Sequence, residues 1–421
     1  MRIEIITIGD ELLLGFTIDT NAAHLARELA AVGVEIVHRT TVGDRADDIT
    51  RAVSEALDRT GAVVTTGGLG PTSDDLTKPT IASLFARRMI LDETIVEAMK
   101  ARWKTLKRTG PFPHSNYAQA MIPEGAVILV NRHGSAPGIW LDDDRSRWVA
   151  MLPGVPREMR GMLAEELLPL IVARAGAAGA AERATVIRSR TLRTTGVAES
   201  ALADQLGDLA RGVNGLELAF LPGVDGVDLR LTVRGLAAAN ADVALAAAVM
   251  KLRERAGRCV YGEESADLGE IVLDMCRRRS LHLAVAESCT GGMLGSRLTS
   301  VAGSSDVFLG GVIAYDNSVK RKWLGVSSDL LDEHGAVSEA VALAMARSAR
   351  EGMGAEIAIA ITGVAGPDGG TALKPVGMVW VAIDGRVAEA RCLHLFGTRE
   401  EVRLRATQAA LDMVRRSLDT H

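Results

Sequence analysis

Three times in this 421-residue chain a short apolar, β-branched run stops at a loop of glycine and small polar residues that opens a helix. A fourth run ends in a similar loop. The runs are residues 3–8 before GDE (9–11), 62–66 before GGLGPTSDD (67–75), 281–285 before AESCTGG (286–292) and 357–361 before TGVAGPDGG (362–370). Strand–loop–helix units repeated in this way sandwich each strand between helices and pair the strands in parallel, which constrains the chain to an α/β design. In such sheets the loops at the carboxyl ends of the strands gather along one rim, where ligands bind. The length exceeds what one core fills and favours two to three domains.

The pattern is interrupted once. Early on, Asp19 or Thr20 is expected to cap a helix that Gly33 stops, residues 34–42 read as a strand, and Ile49, Val53 and Leu57 recur at helical spacing before Gly61. This first domain, residues 1–170, closes with LPGVP (152–156) and a helix. Residues 171–184 carry no hydrophobic periodicity and mark a boundary. Residues 171–256 then read as a small α+β module, with strands at 185–192 and 216–221, an alternating strand through Leu229, Leu231 and Val233, and helices at 197–211 and 236–256. Its GVNG (212–215) matches the G-x-x-G of KH domains by letter, but without flanking basic residues it reads as a spacer turn. Residues 257–421 return to the α/β style and end in strands near 376–383 and 389–396 and a helix from Thr398.

Bulk properties exclude several classes. A net charge of −5 and 3% aromatics argue against nucleic-acid binding through phosphate contacts or base stacking. Cys259, Cys276, Cys289 and Cys392 are scattered without a C-x-x-C pair, so neither a zinc site nor a disulfide framework is expected, and a reducing compartment fits. Glu4, Asp10 and Glu11 interrupt the first apolar run, so no signal peptide is expected. With no stretch apolar enough to span a membrane, the expected location is the cytoplasm.

The AESCTGG junction puts Ser288 and Cys289 at the carboxyl edge of a strand, and the N–H groups of Thr290, Gly291 and Gly292 are expected to point outward at an oxyanion or phosphate. Neither a G-x-S-x-G elbow nor a Walker loop is present. Gly303-Ser304-Ser305, Tyr315 to Lys320 and the loop from Thr362 end neighbouring elements on the same rim. Serine needs a base. Lys320 serves if its pKa falls from ~10.4 towards neutrality, a shift of about 3 units costing roughly 4 kcal/mol. Tyr315, five residues earlier, is expected to face the same cleft and relay the proton. This is acyl transfer to Ser288 followed by hydrolysis, an amidase. The bland alternatives are a serine N-cap, a solvated lysine beside Arg321 and Lys322, or Cys289 as nucleophile with His334 as base.

AESCTGG, the Y-x-x-x-x-K of Tyr315 and Lys320, HGAVS (334–338), TGVAGPDGG and KPVG (374–377) occur in the order found in the carboxyl-terminal domain of the CinA family, which residues 265–421 therefore resemble. The resemblance implies a nicotinamide mononucleotide (NMN) deamidase that releases ammonia and nicotinic acid mononucleotide, with Ser288 as nucleophile assisted by Lys320 and Tyr315 and no cofactor. Thr290, Gly291, Gly292, Ser304, Thr362, Gly363 and Gly366 are the candidate substrate contacts.

In the first domain the glycines of GGLGPTSDD let the backbone approach an anionic group, while Asp74 and Asp75 either hold a divalent ion or favour the helix dipole. GDELLLG, DTN, TTGGLGPTSDD, N-x-x-G-x-APG and LPGVPREM make this region similar to the molybdopterin-binding fold of the MoaB/MogA type that begins CinA proteins. That resemblance implies a metal-dependent ADP-ribose pyrophosphatase, with Asp10, Glu11, Gly67, Gly68, Gly70, Asp74, Asp75 and Asn131 as its site and Asp74 and Asp75 as metal ligands. The middle module resembles the family's KH-type domain. The implied partners are small nucleotides (NMN and ADP-ribose), with a homodimer expected and neither nucleic acid nor membrane. The competing readings are a non-catalytic nucleotide-sensing protein tied to competence or DNA damage, and a role in molybdenum cofactor assembly.

Overall fold

The computed structural model describes residues 1–107, 109–177 and 185–419. Half of the boundary expected at 171–184, residues 178–184, lies outside the described residues, and 171–177 continue the helix Leu168–Ala177. The chain forms two compact units, Met1–Arg188 with Val233–Val243, and Ser189–Thr232 with Ala244–His421.

The first unit is built on a six-stranded sheet in the order Glu35–Val42, Arg2–Ile8, Ala62–Thr66, Trp148–Leu152, Gly138–Asp142, Val127–Leu129. The first four strands run parallel and the last two antiparallel. Alternation along the strands sends Ile3 and Ile5 to a core with Leu25, Leu29, Met159 and Met162, and Ile6 and Ile8 to a core with Ile49, Val53, Leu57 and Ile81. Helices on both faces are what the apolar runs call for. Glu4 is buried, and Arg59 meets it with two parallel hydrogen bonds of 2.8 Å, so the charge is compensated where it is desolvated. Asp19 is the N-cap of Thr20–Ala31, accepting from the Ala22 N–H.

A four-stranded sheet follows in the order Glu217–Pro222, Val227–Ala237, Thr185–Thr194, Val260–Glu263. Along Val227–Ala237, Val227, Leu229, Leu231 and Val233 are buried and alternate with half-buried or exposed neighbours. The GVNG segment is a tight turn in which Asn214 and Gly215 both have positive φ, leading from the 3-10 turn Gly207–Arg211 into the next strand.

The five-stranded sheet of the second unit has the order Phe308–Ile313, Leu283–Glu287, Ile357–Gly363, Met378–Asp384, Glu389–His394. The first three strands are parallel and the last two antiparallel. The loop after Ile357–Gly363 contains no crossover helix, so the chain can only return alongside its predecessor. Leu268–Arg278 and Arg399–Leu418 pack on one face, and Glu339–Met353 on the other. Register is level at the carboxyl ends, since Glu287 pairs with both Ile313 and Ile361. Among the described residues no helix is long and apolar enough to cross a membrane.

Candidate active site

The level register puts Ser288, Ala314 and Thr362 side by side, with the Ser288 N–H donating to the Ile361 carbonyl at 2.9 Å. Beyond Ala314 the chain turns, and the Asp316 side chain caps Asn317–Leu324 by accepting from the Ser318 N–H at 2.8 Å. Lys320 sits in the first turn of this helix and folds back under the strand ends. It is 1% exposed. Its Nζ lies 3.1 Å from Ser288 Oγ, 2.8 Å from the Ala314 carbonyl oxygen and 3.4 Å from that of Tyr315.

A protonated amine would donate to all three oxygens. A neutral one donates to the two carbonyls and turns its lone pair to the serine hydroxyl. Burial lowers the Lys320 pKa, against smaller opposing pulls from Asp316 and Cys289, and so shifts the balance towards the second arrangement. Ser288 and Lys320 line a cavity of about 270 Å³ with Cys289, Tyr315, Thr362, Gly363, Gly366 and Arg399.

The structure corrects several expectations. The N–H groups of Gly291 and Gly292 are already taken within the loop. Glu287, 1% exposed, accepts from Gly292 N at 3.0 Å, Leu294 N at 3.1 Å and Gly295 N at 2.8 Å, while Gly291 N donates to the Ser288 carbonyl at 3.1 Å. A buried carboxylate needs such donors and takes the helix start for itself. Thr290, Gly291, Gly292 and Ser304 therefore do not line the cavity; Thr290 is fully buried and offers its carbonyl to Arg403 at 2.7 Å.

Tyr315 faces the cavity, but its hydroxyl accepts from Arg399 Nη2 at 2.8 Å and makes no contact with Lys320; only its backbone carbonyl does. Thr362 uses its hydroxyl to hold the Ala336 carbonyl at 2.8 Å, which keeps the HGAVS segment over the site. Burial pushes the Cys289 thiol up to about 11, the wrong direction for a nucleophile, and His334 does not line the cavity. Arg399 was not legible as a site residue: it follows the cap of a distant helix, and only the fold brings it to the strand ends.

The first unit has its own cavity, of about 480 Å³, at the carboxyl ends of its parallel strands. Glu11, Gly67, Gly68, Gly70, Asp74 and Asp75 line it, whereas Asp10 and Asn131 do not. Gly67, at φ +111°, lies so close to the Ile8 carbonyl that a Cβ there would come within 2.0 Å of its oxygen. Asp10 exchanges backbone contacts with Asp44, its N–H donating to Asp44 Oδ2 at 2.9 Å. Asn131 braces its own loop, donating to the Ala136 carbonyl at 2.8 Å and to Glu158 at 2.6 Å.

Asp75 is committed to the glycine loop. It accepts from Gly70 N and Thr72 N at 2.7 Å each and from the Thr72 hydroxyl. Among the described residues no three His, Cys, Asp or Glu side chains converge to hold a metal, so Asp74 and Asp75 would need oxygens of water or substrate to complete a site. Two residues join the site. Asp44 has its carboxyl raised by burial, against the hydrogen bond from the Asp10 N–H, with the charges of Asp10, Glu11 and Asp74 adding to the rise. Asn21 is buried, donates to the Gly154 carbonyl at 2.7 Å and leaves Oδ1 without a partner among the described residues.

Family models match in three blocks: a probable molybdopterin binding domain at residues 4–173, a damage-inducible protein CinA KH domain at 189–262, and a CinA C-terminal domain at 265–418. The chain is 62% identical over 420 residues to a CinA-like protein of Gemmatimonas aurantiaca, covering 99% of this chain and 96% of that protein. It is 38% identical over 420 residues to a putative competence-damage inducible protein of Clostridium beijerinckii, covering 99% and 100%. Among solved structures, a competence/damage inducible protein of Agrobacterium tumefaciens is 39% identical and matches 36% of this chain and 94% of its own, with a TM-score of 0.35.

Proposed function

The chain belongs to the CinA family, and from that premise we propose that its carboxyl-terminal domain hydrolyses the amide of nicotinamide mononucleotide. The observation that carries this reading is the 3.1 Å approach of a buried lysine amine to a buried serine hydroxyl at the edge of a cavity. Neutral Lys320 takes the Ser288 proton as Oγ bonds to the carboxamide carbon. The resulting oxyanion is held by peptide hydrogens of the glycine loop beyond Val364, since those of Gly291, Gly292 and Val364 are already used. Protonated Lys320 returns the proton to the amine, the C–N bond breaks and ammonia leaves. Water, deprotonated by the same amine, then attacks the acyl-serine, and nicotinic acid mononucleotide departs. Arg399 presents a cation to the substrate phosphate from the far side of the cavity.

The test is ammonia release from NMN. Ser288→Ala should lose nearly all of it and Cys289→Ala should retain most. No release by wild type would favour the competing reading of a nucleotide sensor without catalysis, and release kept in Ser288→Ala would move the nucleophile to another residue.

For the amino-terminal domain we propose hydrolysis of the ADP-ribose pyrophosphate bond in the 480 Å³ cavity, where the glycine loop lets the backbone approach the diphosphate. Asp74 and Asp75 would hold a divalent ion only together with water or diphosphate oxygens. Release of AMP from ADP-ribose, assayed with and without chelator, tests both the reaction and its metal requirement; pterin binding without AMP release would instead support the cofactor-assembly reading.

A further inference from the structure

A third cavity, of about 760 Å³, lies within the second unit and shares no residue with the Ser288 cavity. Its walls are the loops at 195–199 and 222–227, the end of the strand Glu389–His394 with Phe396 beyond it, and one face of the helix Arg399–Leu418. Gln408 of that helix lines the cavity and is 3% exposed, yet neither its amide nitrogen nor its amide oxygen has a hydrogen-bond partner among the described residues. A buried amide left unmet at both ends is costly, and in native proteins each such group calls for an explanation.

Its surroundings say what would meet it. Phe396 is 72% exposed and carries the Arg405 guanidinium over one face at 4.3 Å from the ring centroid; Arg405 Nε is itself without a partner among the described residues. The helix Glu199–Leu206 opens onto the cavity with no side-chain cap. The carboxylate of Asp412 is already neutralised by Arg415 and Arg416.

We propose that this cavity is a second nucleotide site, in which Gln408 pairs with a base presenting a donor beside an acceptor, the base stacks near Phe396, and Arg405 with the helix start holds the phosphate. Glutamine makes this paired contact with the edge of adenine, and a pyridine carboxamide offers the same two groups. An exposed aromatic ring is a stacking surface for either. The volume falls within the range of small-ligand sites. Gln408 follows Arg399 by nine residues on one helix, about 14 Å along its axis, so the site is separate from the one containing Ser288. It does not depend on the amidase reading.

The experiment uses the full chain in a Ser288→Ala background, so that NMN is not consumed, with Phe396→Trp as a local fluorescent reporter. AMP, NMN and ribose 5-phosphate are titrated separately. Saturable quenching by AMP or by NMN, weakened at least tenfold by Gln408→Leu and by Gln408→Glu, supports the site, and the tighter of the two identifies the base. Gln408→Leu should also melt no lower than its parent, because it removes an unmet amide. Unchanged affinity in both Gln408 variants, no quenching by either nucleotide, or equal quenching by ribose 5-phosphate overturns it. If Gln408→Leu does not fold, the Gln408→Glu titration decides alone.

Discussion

The Tyr315 hydroxyl accepts a hydrogen bond from Nη2 of Arg399 at 2.8 Å, and that bond directs the phenol away from the lysine five residues on. The same guanidinium also donates to the Gly366 carbonyl, so it joins the Tyr315 turn to the glycine loop across the cavity. Tyrosine here positions an arginine. Tyr315→Phe should therefore keep kcat for NMN within about tenfold and raise KM, whereas Arg399→Ala should raise KM further by removing a charge-assisted contact worth about 1.5–3 kcal/mol. Steady-state kinetics on NMN decide the matter; a fall in kcat of a hundredfold or more in Tyr315→Phe would restore the phenol to the proton path.

Lys320 must be neutral to act. Burial lowers its pKa, so the active fraction of enzyme grows as pH rises through that lowered value and levels off above it. The acidic limb of kcat/KM against pH should belong to this group. Lys320→Met should abolish the limb and cost ~10²–10⁴ in rate, the usual contribution of a positioned base. A limb that persists in Lys320→Met would assign the titration elsewhere.

How far the site was readable from the chain depends on the reach of each interaction. Ser288, Lys320 and the Thr362 loop follow strand ends, and once three strands run parallel in level register they must meet on one rim. The Asp19 cap and the alternating burial of Ile3, Ile5, Ile6 and Ile8 are equally local. Failure came where a side chain's partner is chosen by the fold. Glu287 reads as part of the loop after the run 281–285, and nothing in the spacing says that its carboxylate will turn inward and take three amide hydrogens. Asp75 reads as a ligand, but its geometry closes the glycine loop on itself. Arg399 lies 111 residues after Ser288 in the chain, beyond any pattern of local periodicity.

Glu287 yields a stability test. Its two oxygens satisfy three N–H groups at the start of Met293–Thr299, within the core beneath the nucleophile. Glu287→Ala strands those donors without solvent and should cost several times the ~1–3 kcal/mol of one unmet buried group, unless water enters the space. Glu287→Gln keeps one acceptor and replaces the other with a donor facing a donor, so it should fall between Glu287→Ala and wild type. Chemical denaturation of the three proteins checks the order. Equal midpoints would mean that the helix start is satisfied by other means.

Lys78 offers a test of burial that does not involve catalysis. It is 3% exposed, donates to the Ala118 and Gln119 carbonyls at 2.9 and 2.8 Å, and has its pKa lowered by burial to about 8, with Asp75 opposing the shift. Between about 8 and the unfolded value of ~10.4 the folded chain holds fewer protons at this position than the unfolded chain, so stability rises with pH across that window. Below pH 8 both states are protonated and the full penalty of burying the ammonium is present; above the window it is relieved, by roughly 3 kcal/mol at most. Lys78→Met loses both carbonyl contacts and should be less stable at high pH. Its stability should nevertheless show a flatter dependence on pH than wild type between 8 and 10, and it is this difference in slope, measured by denaturant unfolding at a series of pH values, that reports the buried amine. Parallel slopes in the two proteins would show that Lys78 titrates at its ordinary value.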